Sequence, residues 1–341
     1  MRSLPVGLFA IAATSPLAVL LLALALGGAW PWLALAYVSL AAIGLDLMLP
    51  LTAGEPDQAE FPAADPTLVL IGVATLMALP LLTYAIAGPS DLDLAARIAV
   101  FCTGCLWFGQ VSHPAAHELI HRPRPLFWLG MACYTALLFG HHTSSHRLVH
   151  HRHVASPLDP NTARLGEGFY RFLGRAWIGS LRQGYRAEKA LRAGKPGLTP
   201  YAAYATGTLA SLALATVLAG WPGVLVWLGF GLIAGSQILL SDYVQHYGLT
   251  RSIGPDGKLA PVSVAHSWNT PHLFSSAMLL NAPRHSDHHA HPSRPYPSLR
   301  LQPDAPTLPW PLPLACVIAF YPPLWRRRMR PLVARWSAPQ P

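Results

Sequence analysis

Residues 94–122 read LAARIAVFCTGCLWFGQVSHPAAHELIHR, an apolar run that ends in His117-Glu118-Leu119-Ile120-His121. Between Ile98 and Ala116 it holds no Asp, Glu, Lys or Arg. About 20 apolar residues in a helix cross a bilayer. The stretch therefore predicts a membrane span, 94–116, that emerges into a polar layer carrying two imidazoles. Four residues apart, the two rings share one helix face.

Working outward, the same reading finds five more spans, at 7–29, 31–53, 66–88, 201–220 and 222–244. With 94–116 they form three hairpins, split by Gly27-Gly28 and Pro31, by Gly88-Pro89-Ser90-Asp91, and by Trp221-Pro222-Gly223. The first run is too long for a cleaved signal peptide, and a second span follows at once. Of the 341 residues, 52% are hydrophobic and 11% charged; soluble domains carry about 25% charged residues. The expected fold class is an all-α integral membrane protein: six transmembrane helices under one histidine-rich metal-binding cap, a single domain over 1–341.

Twelve of the 24 Lys and Arg lie in 122–199 and ten lie after 246. Cytoplasmic loops are the ones enriched in Lys and Arg, so segments 117–199 and 245–341 and the N-terminus are expected on the cytoplasmic face. The acidic loop 54–65 falls on that side too. Arg97 is the exception, read as snorkelling from a helix end. Residues 125–140 are expected to form an interfacial or re-entrant helix. Residues 308–325, broken by prolines and followed by Arg326-Arg327-Arg328, are expected at the lipid headgroups. The net charge of +9 comes without a basic stripe of interleaved aromatics, so no nucleic-acid partner is expected. Cys102, Cys105, Cys133 and Cys316 lie in apolar surroundings, and the CxxC at 102–105 is read as helix packing.

The sixteen histidines are unevenly spread: nine fall in 113–153 and seven in 246–291. Four clusters stand out. They are His117 and His121; His146, His150 and His151; His246; and His285, His288 and His289. The spacings i,i+4 and i,i+3,i+4 predict one shared face within each helical cluster. Nine imidazoles at one membrane depth exceed what one metal binds and suit two. Neutral imidazole accepts Fe, Zn, Cu or Ni. Zinc sites are usually four-coordinate, so a pair of O2-reactive irons fits better. An HExxH zinc protease would leave seven of these histidines without a role. A metal transporter would set its ligands near the midplane, whereas these sit at helix ends.

These stretches also carry a resemblance. HELIHR (117–122), SHRLVHHRHVASPLDP (145–160), DYVQHYGL (242–249), HSWN (266–269) and RHSDHHAHPSRPYPSLR (284–300) resemble the membrane alkane monooxygenases of the fatty-acid-desaturase-like superfamily. The likeness runs over about 95–305 and includes LGEGFYRF (165–172). It implies six membrane helices, a non-haem di-iron cofactor (two Fe) and O2-dependent terminal hydroxylation of alkanes. It also implies electrons from a rubredoxin or ferredoxin, with an NAD(P)H-dependent reductase. Carried over by position, the metal ligands are His117, His121, His146, His150, His151, His246, His285, His288 and His289. Ser145, Asp242, Gln245 and Arg122 depart from the residues usual in that family, which bears on the groups that orient the ligands.

No acid or base side chain is expected to act beyond the metal centre. Glu118 and Asp287 are the first candidates to orient ligand rings, followed by Asp242, Asp159, His266 and the intramembrane Asp46. Trp107 and Phe108 are candidates to line the channel and set chain length. His113 is read as structural, and His141, His142, His153, His272 and His291 as interfacial or hydrogen-bonded. The expected setting is the bacterial inner (plasma) membrane, with membrane lipid and a hydrophobic small-molecule substrate as further partners. The rival activities are desaturation or epoxidation of an acyl or lipid chain on the same site and, from another class, metal transport or metal binding.

Overall fold

The computed structural model describes residues 6–49, 51 and 64–337. Among them the chain is helical, with two isolated β-bridges and no strand. Of the acidic loop 54–65 only Ala64 and Asp65 lie among the described residues. The helices in chain order begin with α1 (Val6–Leu26), α2 (Trp30–Met48), α3 (Ala64–Ala87) and α4 (Leu94–Ile120). Next come α5 (Leu126–Ala136), α6 (142–153), α7 (Phe169–Leu191) and α8 (Pro200–Gln245). The last are α9 (Leu273–Met278), α10 (His285–Ala290), α11 (Leu312–Ala319) and α12 (Pro322–Ser337).

Five of these, α1 to α4 and α8, are long and apolar enough to cross a membrane. The expected fifth and sixth spans correspond to two arms of α8. The helical conformation breaks at Ala219 and Gly220, where Gly220 takes φ +60° and ψ −151°, backbone that favours glycine. Tyr204 packs on Gly140, and Gly231 packs on Leu137 and Leu138. A straight helix would hold residues 204 and 231 about 40 Å apart, so α8 folds back on itself. Both of its ends lie beside 140–161: Tyr204 bonds to Ser144, and Asp242 to Asn161.

Arg97 has partners of its own at the end of the helix. Asp93 caps α4 by accepting from the Ala96 amide at 2.7 Å. One turn in, the Arg97 guanidinium donates to the carbonyls of Leu92 (2.9 Å), Ile86 (2.6 Å), Gly88 (3.2 Å) and Ser90 (3.1 Å). One of these carbonyls is left over where α3 ends and the other three belong to the turn that follows, so the charge ties the 87–93 turn.

At 11 residues α5 is about 16 Å long, too short to cross. It packs closely on the end of α4: a Cβ on Gly130 would meet the Ala116 carbonyl oxygen at 2.7 Å. The chain can thus leave α4 and return in α6 at the same end of the bundle. The helix α6 is fixed from outside by Ser144, whose hydroxyl donates to Glu188 of α7 (2.6 Å) and contacts the Tyr204 hydroxyl (2.8 Å). The proline-rich 308–325 stretch is more than a headgroup anchor. Its apolar core forms α11, which packs along the second arm of α8. Trp325 of α12 is fully buried against Tyr243 and Tyr247.

Candidate metal centre

All nine imidazoles singled out in the sequence converge, in two groups. His117, His121, His146, His151 and His288 form one; His150, His246, His285 and His289 form the other. Within each group the potential ligand atoms lie within 4.8 Å of one another. The groups adjoin: the rings of His151 and His289 are 4.6 Å apart. Neither contains a carboxylate or a thiolate.

The partition differs from the one that helical spacing predicts. His146 and His150, four residues apart, belong to different groups. Residues His146–His150 form a π turn, in which the His151 amide donates to the His146 carbonyl. The wider turn sets residue i+5, not i+4, above residue i. His151 therefore sits over His146, Nε2 to Nε2 at 2.9 Å, and His150 is turned to the second group. On α10, His285 and His289 are one turn apart and face each other at 3.1 Å. At 100° per residue His288 points to the side and reaches His151 at 3.2 Å.

The nitrogen contacts themselves suit a metal ion. The Nε2 of His146 lies 2.8 Å from that of His117 and 2.9 Å from that of His151. The Nε2 of His285 lies 2.9 Å from that of His246 and 3.1 Å from that of His289. An imidazole nitrogen carries one proton or one lone pair, so it cannot hydrogen-bond to two neighbouring nitrogens at once. A shared cation accepts all of these lone pairs together. The inward Nε2 atoms of His121 and His150 are buried with no protein partner. Burial pushes the His121, His146, His151, His285, His288 and His289 imidazoles well below the usual histidine range, and repulsion between neighbouring rings adds to it. Burial likewise pushes His246 down to about 3. The neutral ring is the form that ligates metal.

An apolar cavity of about 480 Å³ ends on these groups. His117, His146, His285 and His288 line its inner end, and Leu40, Ile233 and Val317 its mouth. Those three side chains are 73%, 40% and 55% exposed on the apolar helices α2, α8 and α11.

The fatty acid desaturase family matches residues 94–309, more than half of the chain. Alkane 1-monooxygenase 2 of Pseudomonas aeruginosa is 30% identical over 91% of this chain and 86% of its own length. The chain belongs to the fatty acid desaturase family, in its alkane monooxygenase group. Alkane 1-monooxygenase 1 of the same organism is 36% identical, over 67% of this chain and 62% of its own length. The present chain thus matches less than two thirds of that relative. The xylene/toluene monooxygenase hydroxylase component XylM of Pseudomonas putida is 28% identical over 88% of this chain and 81% of its own.

Around the two groups, this family member places its carboxylates differently from expectation. Among the described residues, Asp159 is the carboxylate that touches a metal-group imidazole: its Oδ2 accepts from His150 Nδ1 at 2.8 Å. That contact fixes the tautomer and leaves the His150 Nε2 lone pair facing its group. Asn161 links this carboxylate to Asp242: its amide N–H donates to Asp159 Oδ1 (3.0 Å) and its side chain to Asp242 Oδ2 (2.7 Å). Glu118 and Asp287, the stronger candidates from sequence, hold backbone and arginine instead. Glu118 accepts from the Tyr296 amide at 3.2 Å and lies 3.7 Å from Arg122. Asp287 accepts from Arg294 (2.7 and 2.6 Å), the Arg300 amide (2.8 Å) and His291 (3.1 Å). Both carboxylates clamp the 291–300 segment rather than aim a ligand. Asp46 accepts from the Ser275 amide at 2.9 Å, pinning α9 to α2.

In the HSWN stretch, His266 caps a short turn through Ser263 at 2.9 Å. Sequence reasoning missed Asn269. Its Oδ1 accepts from both the amide (3.0 Å) and hydroxyl (2.9 Å) of Ser286, which sets the start of α10. Gln245 donates to the Ala282 carbonyl at 3.0 Å and accepts from Ser241, so an amide suits this position. Trp107 and Phe108 do not line the cavity. Both are buried on α4, where Phe108 packs 5.1 Å from Phe230 of α8. All four cysteines are free.

Proposed function

We propose that the chain is a membrane monooxygenase that uses O2 to hydroxylate an alkyl C–H bond of an apolar substrate at two non-haem irons. The observation that carries this reading is the placement of the histidine groups at the inner end of an apolar cavity that opens among exposed apolar side chains of α2, α8 and α11. The nine imidazoles are the ligands in this reading, five in one group and four in the other. The iron pair, when bound, supplies the O2 chemistry and electron transfer that hydroxylation requires.

The chain's own part is binding, orientation and exclusion of water. Substrate passes from lipid between α2, the second arm of α8 and α11. Leu240, Leu279 and Leu312 line its path to His117 and His288. Asp159 keeps the His150 proton on Nδ1, away from the metals. A rubredoxin or ferredoxin, reduced by an NAD(P)H-dependent reductase, supplies the electrons, and the arginines of α7 and α12 suit an acidic donor. The Lys and Arg distribution supports a cytoplasmic site in a bacterial inner membrane. The names of the relatives, alkane and xylene monooxygenases, support the same reaction class.

The test is turnover by metal-loaded protein with a rubredoxin, its reductase, NAD(P)H and 18O2, on n-alkanes and alkylbenzenes. An alcohol carrying one 18O is the expected product. An alkene without label points to desaturation. No O2 uptake, with metal crossing vesicles down a gradient, rejects the oxygenase reading in favour of transport.

A further inference from the structure

The cavity is apolar over most of its wall, but not where it nears the histidine groups. There His113, His142 and Gln110 face it. His113 precedes His117 by one turn of α4, and His142 precedes His146 by four residues of α6. Both rings thus lie one step beyond ligands of the first metal group, and the metal groups include neither His113 nor His142.

The two extra rings are 0% and 1% exposed. Aromatic side chains brace them: Tyr134 lies 5.2 Å from the His113 ring and 5.0 Å from that of His142, and Phe139 lies 5.4 Å from His142. Neither nitrogen of His142 has a hydrogen-bond partner; one face of the buried His113 ring is served by the Ala234 backbone, which leaves its other nitrogen unpaired. The Gln110 Oε1 is buried without a partner as well. Buried polar atoms are costly to leave unpaired, and a plain hydrocarbon filling the cavity would leave all of them so. A neutral imidazole offers one donor and one acceptor, whereas an amide oxygen only accepts. A hydroxyl both donates and accepts, and so answers both. No Lys or Arg lines the cavity, whereas Glu118 and Asp242 do, so at this subsite, away from the metals, a carboxylate or phosphate would meet carboxylates and no basic side chain.

We propose that His142, His113 and Gln110 form a polar subsite for an uncharged oxygen group, and that the substrate is an alkyl chain already bearing a hydroxyl or carbonyl a few carbons from the C–H bond attacked. The inference rests on the hydroxylase reading for the cavity as the substrate path. Binding tests it apart from turnover.

Full-length, metal-loaded protein in lipid nanodiscs, without electron donor, is titrated calorimetrically with n-decane, decan-5-ol, decan-5-one and decanoate. Affinities are referred to mole fraction in the bilayer. The expected result is decan-5-ol bound about tenfold or more tighter than decane, decan-5-one in between, and decanoate no tighter than decane. His142→Phe or Gln110→Met reduces the alcohol preference to about twofold or less, whereas His142→Gln, which keeps a donor and an acceptor, retains it. If His142→Phe does not accumulate, Gln110→Met gives the reading. Equal affinity for decane and decan-5-ol in the wild type, or a preference that survives both substitutions, overturns the subsite and assigns those nitrogens to water. An alcohol preference in a protein that oxidises none of the ligands once reduced leaves the subsite standing and overturns the hydroxylase reading instead.

Discussion

Exchanging Asp159 for asparagine replaces one oxygen by an NH2 group at a side chain with no exposed surface. The wild-type Oδ2 accepts from His150 Nδ1 (2.8 Å) and Thr162 Oγ1 (2.7 Å), and Oδ1 accepts from the Asn161 amide (3.0 Å). Both oxygens are therefore acceptors. If the NH2 takes the Oδ2 place, it faces His150 as a donor. The imidazole then presents its lone pair outward and its Nε2 proton toward the second histidine group, where it cannot ligate. If the NH2 takes the other place, it opposes the Asn161 amide donor and the loop carrying the carboxamide shifts. Loss of such a partner typically costs 10–100-fold in metal affinity, about 1.4–2.8 kcal/mol. The assay is elemental analysis of metal-loaded Asp159→Asn protein across a chelator titration. One metal per chain is expected to leave at about 10–100-fold lower chelator concentration than in the wild type, with the other held as before. Release of both metals at the wild-type concentrations would refute the role given to Asp159.

Gln245→Glu sets a carboxylate against the Ala282 carbonyl that the amide now binds at 3.0 Å. It is expected to lower stability by about 2–3 kcal/mol, read as a lower Tm, and not to improve metal retention. Gly130→Ala places a methyl 2.7 Å from the Ala116 carbonyl oxygen and 2.8 Å from Leu119 Cβ. Overpacking of this kind costs about 1–3 kcal/mol, and thermal unfolding in detergent measures it. Val317→Trp narrows the mouth of the cavity. It is expected to lower kcat/KM for the longest chains by about tenfold with a smaller effect on the shortest; a uniform loss across chain lengths would place the entrance elsewhere.

The membrane helices and the identity of the converging histidines are legible in the sequence because both rest on local rules, apolar length and imidazole clustering. How the nine histidines divide between two groups is not. It turns on the π turn at His146–His150, which pairs His146 with His151 and frees His150, and on the sideways aim of His288 between His285 and His289. Which carboxylate reaches a ligand is not legible either. Glu118 and Asp287 adjoin ligands along the chain yet point away from them, whereas Asp159 reaches His150 from nine residues further on because the loop after α6 turns back. Arg97 is out of place by charge counting alone, because its partners, the carbonyls of residues 86–92, come together only in the fold. The role of α11 as a cavity wall depends on tertiary packing and left no periodic trace among the prolines.

Elemental analysis of the purified, full-length protein, expressed with iron in excess over zinc, counts the metals held by the nine imidazoles. Two irons per chain are expected, falling to one or none in a His146→Ala or His285→Ala protein that still folds. A wild-type protein holding a single metal ion, or two zinc ions and no iron after such expression, would contradict the paired-iron centre.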